Sequence, residues 1–139
     1  MSGLSKVLNL IFQGRQAEML TTGIDLIAIN RIGKSLANPR FLTRVFSVAE
    51  IDMFERRGYP VQTIAANFAA KEAFSKALGT GIRGFRWNEV SVLRDSFGKP
   101  YFLLEGRAKY LAEQAGLCFS LSLSHTDDTA AAFVVGYSD

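Results

Sequence analysis

Apolar and β-branched residues crowd together in LTTGIDLIAI (20–29), predicting a strand that carries a single charge, Asp25. A helical region broken by Pro39 follows, and Ser47 and Glu50 then stand at capping-box spacing ahead of a helix reaching about Arg57. Pro60 and Thr63 introduce a longer helix containing NFAAKEAFSKAL, which Gly79 and Gly81 terminate, the first as a left-handed cap. Beyond it the period changes. NEVSVLRD (88–95) alternates, SFGKP makes a turn, and YFLLE (101–105) completes a hairpin. RAKYLAEQA (107–115) is a helix closed by Gly116, and CFSLSLSH (118–125) pairs with TAAAFVVGY (129–137) across TDD. The order predicts an α+β domain, with a mainly antiparallel sheet and helices packed on one face.

At 139 residues the chain has the length of one domain, and 48% apolar with 21% charged residues fits a globular protein. No run approaches the roughly 18 apolar residues of a membrane span, which predicts no membrane insertion. The single Cys118 has no intrachain disulfide partner and suits a reducing, cytoplasmic setting. Residues 1–18 look foreign to the rest and read as a leader, a mis-set start or an expression-derived segment, leaving 19–139 as the domain.

The net charge of +3 is modest, but Arg31, Lys34, Arg40 and Arg44 occupy a stretch without an acid. Lys71, Lys76, Arg83 and Arg86 form a second basic group, opposed only by Glu72. Such patches are either solvated faces or contacts for acidic or phosphorylated partners.

Three carboxylates stand in unusual places: Asp25 inside a strand, Asp52 early in the middle helix, and Glu72 within the alanine-rich helix. Phe68, Glu72 and Lys76 share one stripe of that helix. Asp25 and Glu72 would suit a hard cation such as Mg²⁺ if the helix packs over the strand. Equally, Glu72 pairs with Lys76 at i,i+4 and Asp25 caps a neighbouring backbone group. The only histidine, His125, lies at a strand end, either packed or within a loop contacting phosphate or ribose. GTGIRG (79–84) closes a helix rather than opening one, so it is no Walker or dinucleotide loop.

GIDLIAINRI (23–32), FAAKEAFSKALGTGI (68–82), GKPY (98–101) and SLSHT (122–126) together resemble bacterial holo-[acyl-carrier-protein] synthase, the small class of 4′-phosphopantetheinyl transferases, over residues 19–139. The resemblance implies the 4′-phosphopantetheinyl transferase fold and Mg²⁺-dependent transfer of 4′-phosphopantetheine from coenzyme A to a serine of apo acyl carrier protein. Adenosine 3′,5′-bisphosphate is the second product. It assigns Asp25 and Glu72 to the metal and Lys76 to a coenzyme A phosphate, with Phe68 walling the stripe. Gly79, Gly81, Lys99, Pro100, His125 and Thr126 are placed among the coenzyme A contacts. Asp52 is the candidate proton acceptor, directly or through water, with Glu72 the alternative. Arg31, Arg40 and Arg44 would dock the acidic carrier, and a homotrimer is implied.

The chain departs from the family pattern at Asn67, where many relatives carry Arg, and at Asp127–Asp128 beside a site for an anionic ligand. One rival reading is a non-catalytic coenzyme A or carrier-binding module. Another is an RNA-binding domain, which the few strand aromatics, Trp87, Phe102 and Phe119, make a poor fit; no nucleic-acid partner is expected.

Overall fold

The computed structural model describes Gly3 and residues 18–138. The leader expected at 1–18 therefore lies almost wholly outside the described residues. Strand β1 (Leu20–Ala28) leads through short helices α1 (Ile29–Ser35) and α2 (Pro39–Val45) to α3 (Val48–Arg56) and the long α4 (Val61–Leu78). A 3-10 turn (Trp87–Glu89) precedes the hairpin β2 (Val90–Arg94) and β3 (Pro100–Leu104). Helix α5 (Gly106–Ala115) and strands β4 (Leu117–His125) and β5 (Thr129–Ser138) complete the domain.

Every pairing is antiparallel, as expected, but there are two sheets: β1-β5-β4 and the separate hairpin β2-β3. The local signals behave as their chemistry requires. Asn38 Oδ1 accepts from Arg40 N with Pro39 in the first turn, so the break at proline is a helix start. Ser47 and Glu50 close both halves of the capping box. Gly79 ends α4 at φ 89°, a left-handed cap that a side chain would resist. Strand β2 does not alternate: Val90, Ser91 and Val92 are all buried. The α3 cap covers its second face, where Ser91 Oγ donates to Ser47 Oγ at 2.7 Å.

Helix α4 is the axis of the core, buried on most sides by the large sheet, the hairpin and the other helices. Its alanines allow the closest approach. Ala69, Ala70 and Ala73 are fully buried, and Gly23 of β1 lies against the α4 backbone so tightly that a methyl there would run into the Ala73 carbonyl oxygen. Gly23→Ala should therefore lower stability by about 2–3 kcal/mol through overpacking. Urea denaturation measures it, and an unchanged midpoint would contradict the fit. A second cluster, Phe74, Phe85, Val90 and Ala108, packs with Phe102 and Phe119.

The alternation of β1 turns Thr21, Gly23, Asp25 and Ile27 towards α4. Its other face leaves Leu20, Ile24 and Leu26 largely exposed, with Phe133 paired to Ile24 and Tyr137 to Leu20. Contiguous exposed apolar faces of this kind are the surfaces on which proteins commonly meet partners.

Candidate active site

Where β1 passes the C-terminal half of α4, three charged side chains meet. Lys76 Nζ donates to the Ile24 carbonyl oxygen at 2.8 Å and lies 3.5 Å from Asp25 Oδ1. The ion partner of Lys76 is thus Asp25 across the interface, not Glu72 one turn below it. Asp25 is mostly covered, whereas Lys76 keeps about half its side chain in solvent. Glu72, half-buried beside them, has no hydrogen bond or ion pair to its carboxylate among the described residues.

Burial pushes the Glu72 carboxyl above the ordinary carboxylate range, and the neighbouring charge of Asp25 pushes it further. Lys76 and Arg31 pull the other way. Burial likewise raises Asp25, against the opposing attraction and hydrogen bond of Lys76 and the charge of Arg31. Two carboxylates near enough to repel, partly stripped of water, form the donor set that a hard divalent cation stabilises. Among the described residues no group of three or more potential ligands clusters, so phosphate oxygens and water must complete such a shell.

Both groups titrate higher in the folded chain than in the unfolded one. They favour folding below the ordinary carboxylate range, near pH ~4, and that contribution is lost as pH rises through the raised folded values. The metal-free protein should accordingly be stabilised at neutral pH by Asp25→Asn, by about 1–3 °C after allowing for solvent screening. Calorimetry in EDTA measures this; a melting point lowered by the substitution would contradict the repulsion.

The other residues assigned from sequence fall in distinct places. Phe68 is buried, stacked on Trp87 with centroids 5.0 Å apart and flanked by Phe41, so it backs the site rather than facing a ligand. Gly79 and Gly81 are exposed in left-handed conformations just beyond α4. Lys99 is exposed and Pro100 half-buried at the hairpin turn, where Asp95 Oδ1 accepts from Phe97 N and Lys99 N. His125 is exposed rather than packed, its Nδ1 3.2 Å from the Thr126 carbonyl oxygen. Asp128 is occupied within its own loop, Oδ1 accepting from the hydroxyls of Thr126 and Thr129.

Asp52 is not brought to Asp25 and Glu72 within the protomer. It is exposed and lines a separate pocket of about 430 Å³ with Arg56, Arg57, Arg94 and Tyr101. Arg31, Lys34, Arg40 and Arg44 are all exposed on α1 and α2, without an ion pair among the described residues. The second basic group dissolves: Lys71 is fully buried against Glu50, and Lys76 belongs to Asp25.

Sequence reasoning missed the buried network behind the site. Lys71 Nζ donates to Glu50 Oε1 at 2.6 Å, to the Trp87 carbonyl oxygen at 3.0 Å and to that of Val90. Asn67 Nδ2 donates to Glu50 Oε2 at 2.9 Å and to the Val92 carbonyl oxygen at 3.0 Å, while Asn67 Oδ1 accepts from Arg94 Nη2 at 2.8 Å. Asn67, fully buried, is a core residue and offers no surface to a phosphate. The available signal was a lysine set among buried-face alanines, which demands a partner.

Residues 21–134 match the 4′-phosphopantetheinyl transferase superfamily. The chain is 45% identical over 112 residues to a holo-[acyl-carrier-protein] synthase of Alkaliphilus oremlandii, covering 79% of this chain and 92% of that one. It is 42% identical over 119 residues to that of Clostridium perfringens, covering 81% and 90%. Among solved structures, the Neisseria meningitidis holo-[acyl-carrier-protein] synthase superposes with a TM-score of 0.78 at 37% identity, covering 84% of this chain and 96% of its own. The Bacillus anthracis enzyme in complex with CoA (3′,5′-ADP) gives 0.73 at 33% identity, covering 88% and 100%. The chain belongs to the 4′-phosphopantetheinyl transferase superfamily. Within it, the chain is an enzyme of the holo-[acyl-carrier-protein] synthase kind.

Proposed function

We propose that the chain transfers 4′-phosphopantetheine from coenzyme A to a serine of apo acyl carrier protein, in a Mg²⁺-dependent reaction that releases adenosine 3′,5′-bisphosphate. The observation that carries this reading is the meeting of Asp25, Glu72 and Lys76 where β1 crosses α4.

Asp25 and Glu72 would hold the Mg²⁺, whose charge would offset that developing on the diphosphate during transfer. Lys76 is anchored by the Ile24 carbonyl yet half-exposed, so its ammonium still has a hydrogen to offer a phosphate oxygen. Glu72, which stands at the meeting of β1 and α4, is the candidate base within this protomer. Asp52, facing the arginine-lined pocket, takes that part only if another protomer carries it to the site. Exposed His125, Thr126 and Lys99, with Pro100, Gly79 and Gly81, are the coenzyme A contacts in this reading, and Phe68 the wall behind them.

Arg31, Arg40 and Arg44 would receive the acidic carrier, and Arg31 reaches far enough for its charge to be felt at both carboxylates. Arg40→Glu with Arg44→Glu should raise KM for the carrier about tenfold or more, most at low salt, with KM for coenzyme A unchanged. Steady-state kinetics at two ionic strengths tests it, and a salt-independent KM would remove the docking role. The apolar outer face of the large sheet favours a homotrimer joined there. We place the reaction in the cytoplasm with its carrier; among the described residues no helix is long and apolar enough to cross a membrane.

The test is release of adenosine 3′,5′-bisphosphate from coenzyme A, followed by chromatography. The proposal expects release only when apo carrier and Mg²⁺ are both present. Release without carrier would mean hydrolysis, and no release with folded protein would mean a binding module.

A further inference from the structure

We infer that Lys71 is a positioning residue for the metal site: its buried pair with Glu50 fixes the rotation and height of α4, and so where Glu72 presents its carboxylate to Asp25. The inference rests on the metal-site reading above. The need for such a device comes from the alanines of α4. Ala65, Ala69, Ala70 and Ala73 are fully buried and let neighbouring elements approach closely, and the large buried side chains of the helix, Ile64, Phe68 and Phe74, make apolar contacts that are not directional.

Directional contacts come from two polar side chains one turn apart, Asn67 and Lys71. All three Lys71 ammonium hydrogens are used, on Glu50 Oε1 and the carbonyl oxygens of Trp87 and Val90. Asn67 adds two bonds, to Glu50 Oε2 and the Val92 carbonyl oxygen. Glu50 is itself pinned, accepting from Ser47 N at 3.1 Å in the α3 cap. Turning or sliding α4 would break these bonds away from water, where none can be replaced. Glu72 follows Lys71 in the chain and makes no carboxylate hydrogen bond of its own among the described residues, so its place is inherited from Lys71.

A buried ion pair adds little net stability over apolar residues of similar volume, while it can specify a unique arrangement. Stability and metal affinity should therefore separate. Mn²⁺ binding is measured by electron paramagnetic resonance, with coenzyme A present and carrier absent. The proteins are the wild type, Lys71→Arg, the double variant Glu50→Gln/Lys71→Met, and Asp25→Asn as the ligand control. Circular dichroism melts confirm folding. Lys71→Arg keeps the charge but replaces a compact three-donor head with a planar fork. The expected result is folded variants whose Mn²⁺ dissociation constants rise roughly 10- to 100-fold.

Wild-type Mn²⁺ affinity in folded Lys71→Arg and in the folded double variant would overturn the inference. Should the double variant fail to fold, Lys71→Arg decides alone. A wild type that binds Mn²⁺ no better than Asp25→Asn would instead remove the metal reading, and this inference with it.

Discussion

Glu72→Gln should leave a folded protein whose Mg²⁺-dependent transfer has fallen by at least roughly 10²–10³-fold, the size of loss seen when one preorganised electrostatic contact to a transition state is removed. The substitution keeps the volume and polarity of the side chain and removes its charge. Nothing else should suffer, because the Glu72 carboxylate holds no hydrogen bond or ion pair among the described residues. The metal-free variant should even melt slightly higher, since the burial of a charge and the repulsion from Asp25, which raise Glu72's proton affinity in that order, both disappear. Single-turnover transfer and a melting curve in EDTA check the two halves. Undiminished turnover would sink the assignment of Glu72.

The largest expected effect on stability belongs to Lys71→Met. The ammonium lies under the Phe46 ring, 5.1 Å from its centroid, and is fully buried with its partner Glu50. Burial alone lowers the proton affinity of Lys71, and the charge and hydrogen bond of Glu50 work to restore it. Removing the ammonium strands the Glu50 carboxylate, along with two backbone carbonyl oxygens. The loss should be about 3–5 kcal/mol, the range for breaking a buried pair on one side. Set against a typical total of roughly 5–15 kcal/mol, this approaches unfolding. Urea titration of the variant against the wild type measures this loss. A loss below about 1 kcal/mol would mean the pair is not sealed from water.

What could be read from sequence was local. Asn38 before Pro39, the Ser47–Glu50 box and Gly79 each act within a few residues, and each appears as chemistry dictates. The pairing of Asp25 with Glu72 came from motif resemblance rather than spacing, which left open whether Glu72 paired with Lys76. That choice depended on how α4 lies across β1, and Gly23, by admitting the helix backbone, is what brings Lys76 onto the strand.

The basic group containing Lys71 was misread for a related reason. Its partner Glu50 stands on another helix, 21 residues away, and charge clusters in sequence carry no depth. Asn67, a departure from the family pattern in sequence, is fully buried and bonded to Glu50, Val92 and Arg94. The exposed face of the large sheet was equally hidden. Ile24 and Leu26 look like core residues until the register sets them on the side of β1 away from α4.

The most direct measurement of the central claim is the intact mass of apo acyl carrier protein after incubation with this protein and coenzyme A, in Mg²⁺ and in EDTA. Addition of a single phosphopantetheine, in Mg²⁺ only, is the predicted result. A carrier whose mass stays unchanged in Mg²⁺, with the protein folded and several carriers tried, would contradict it.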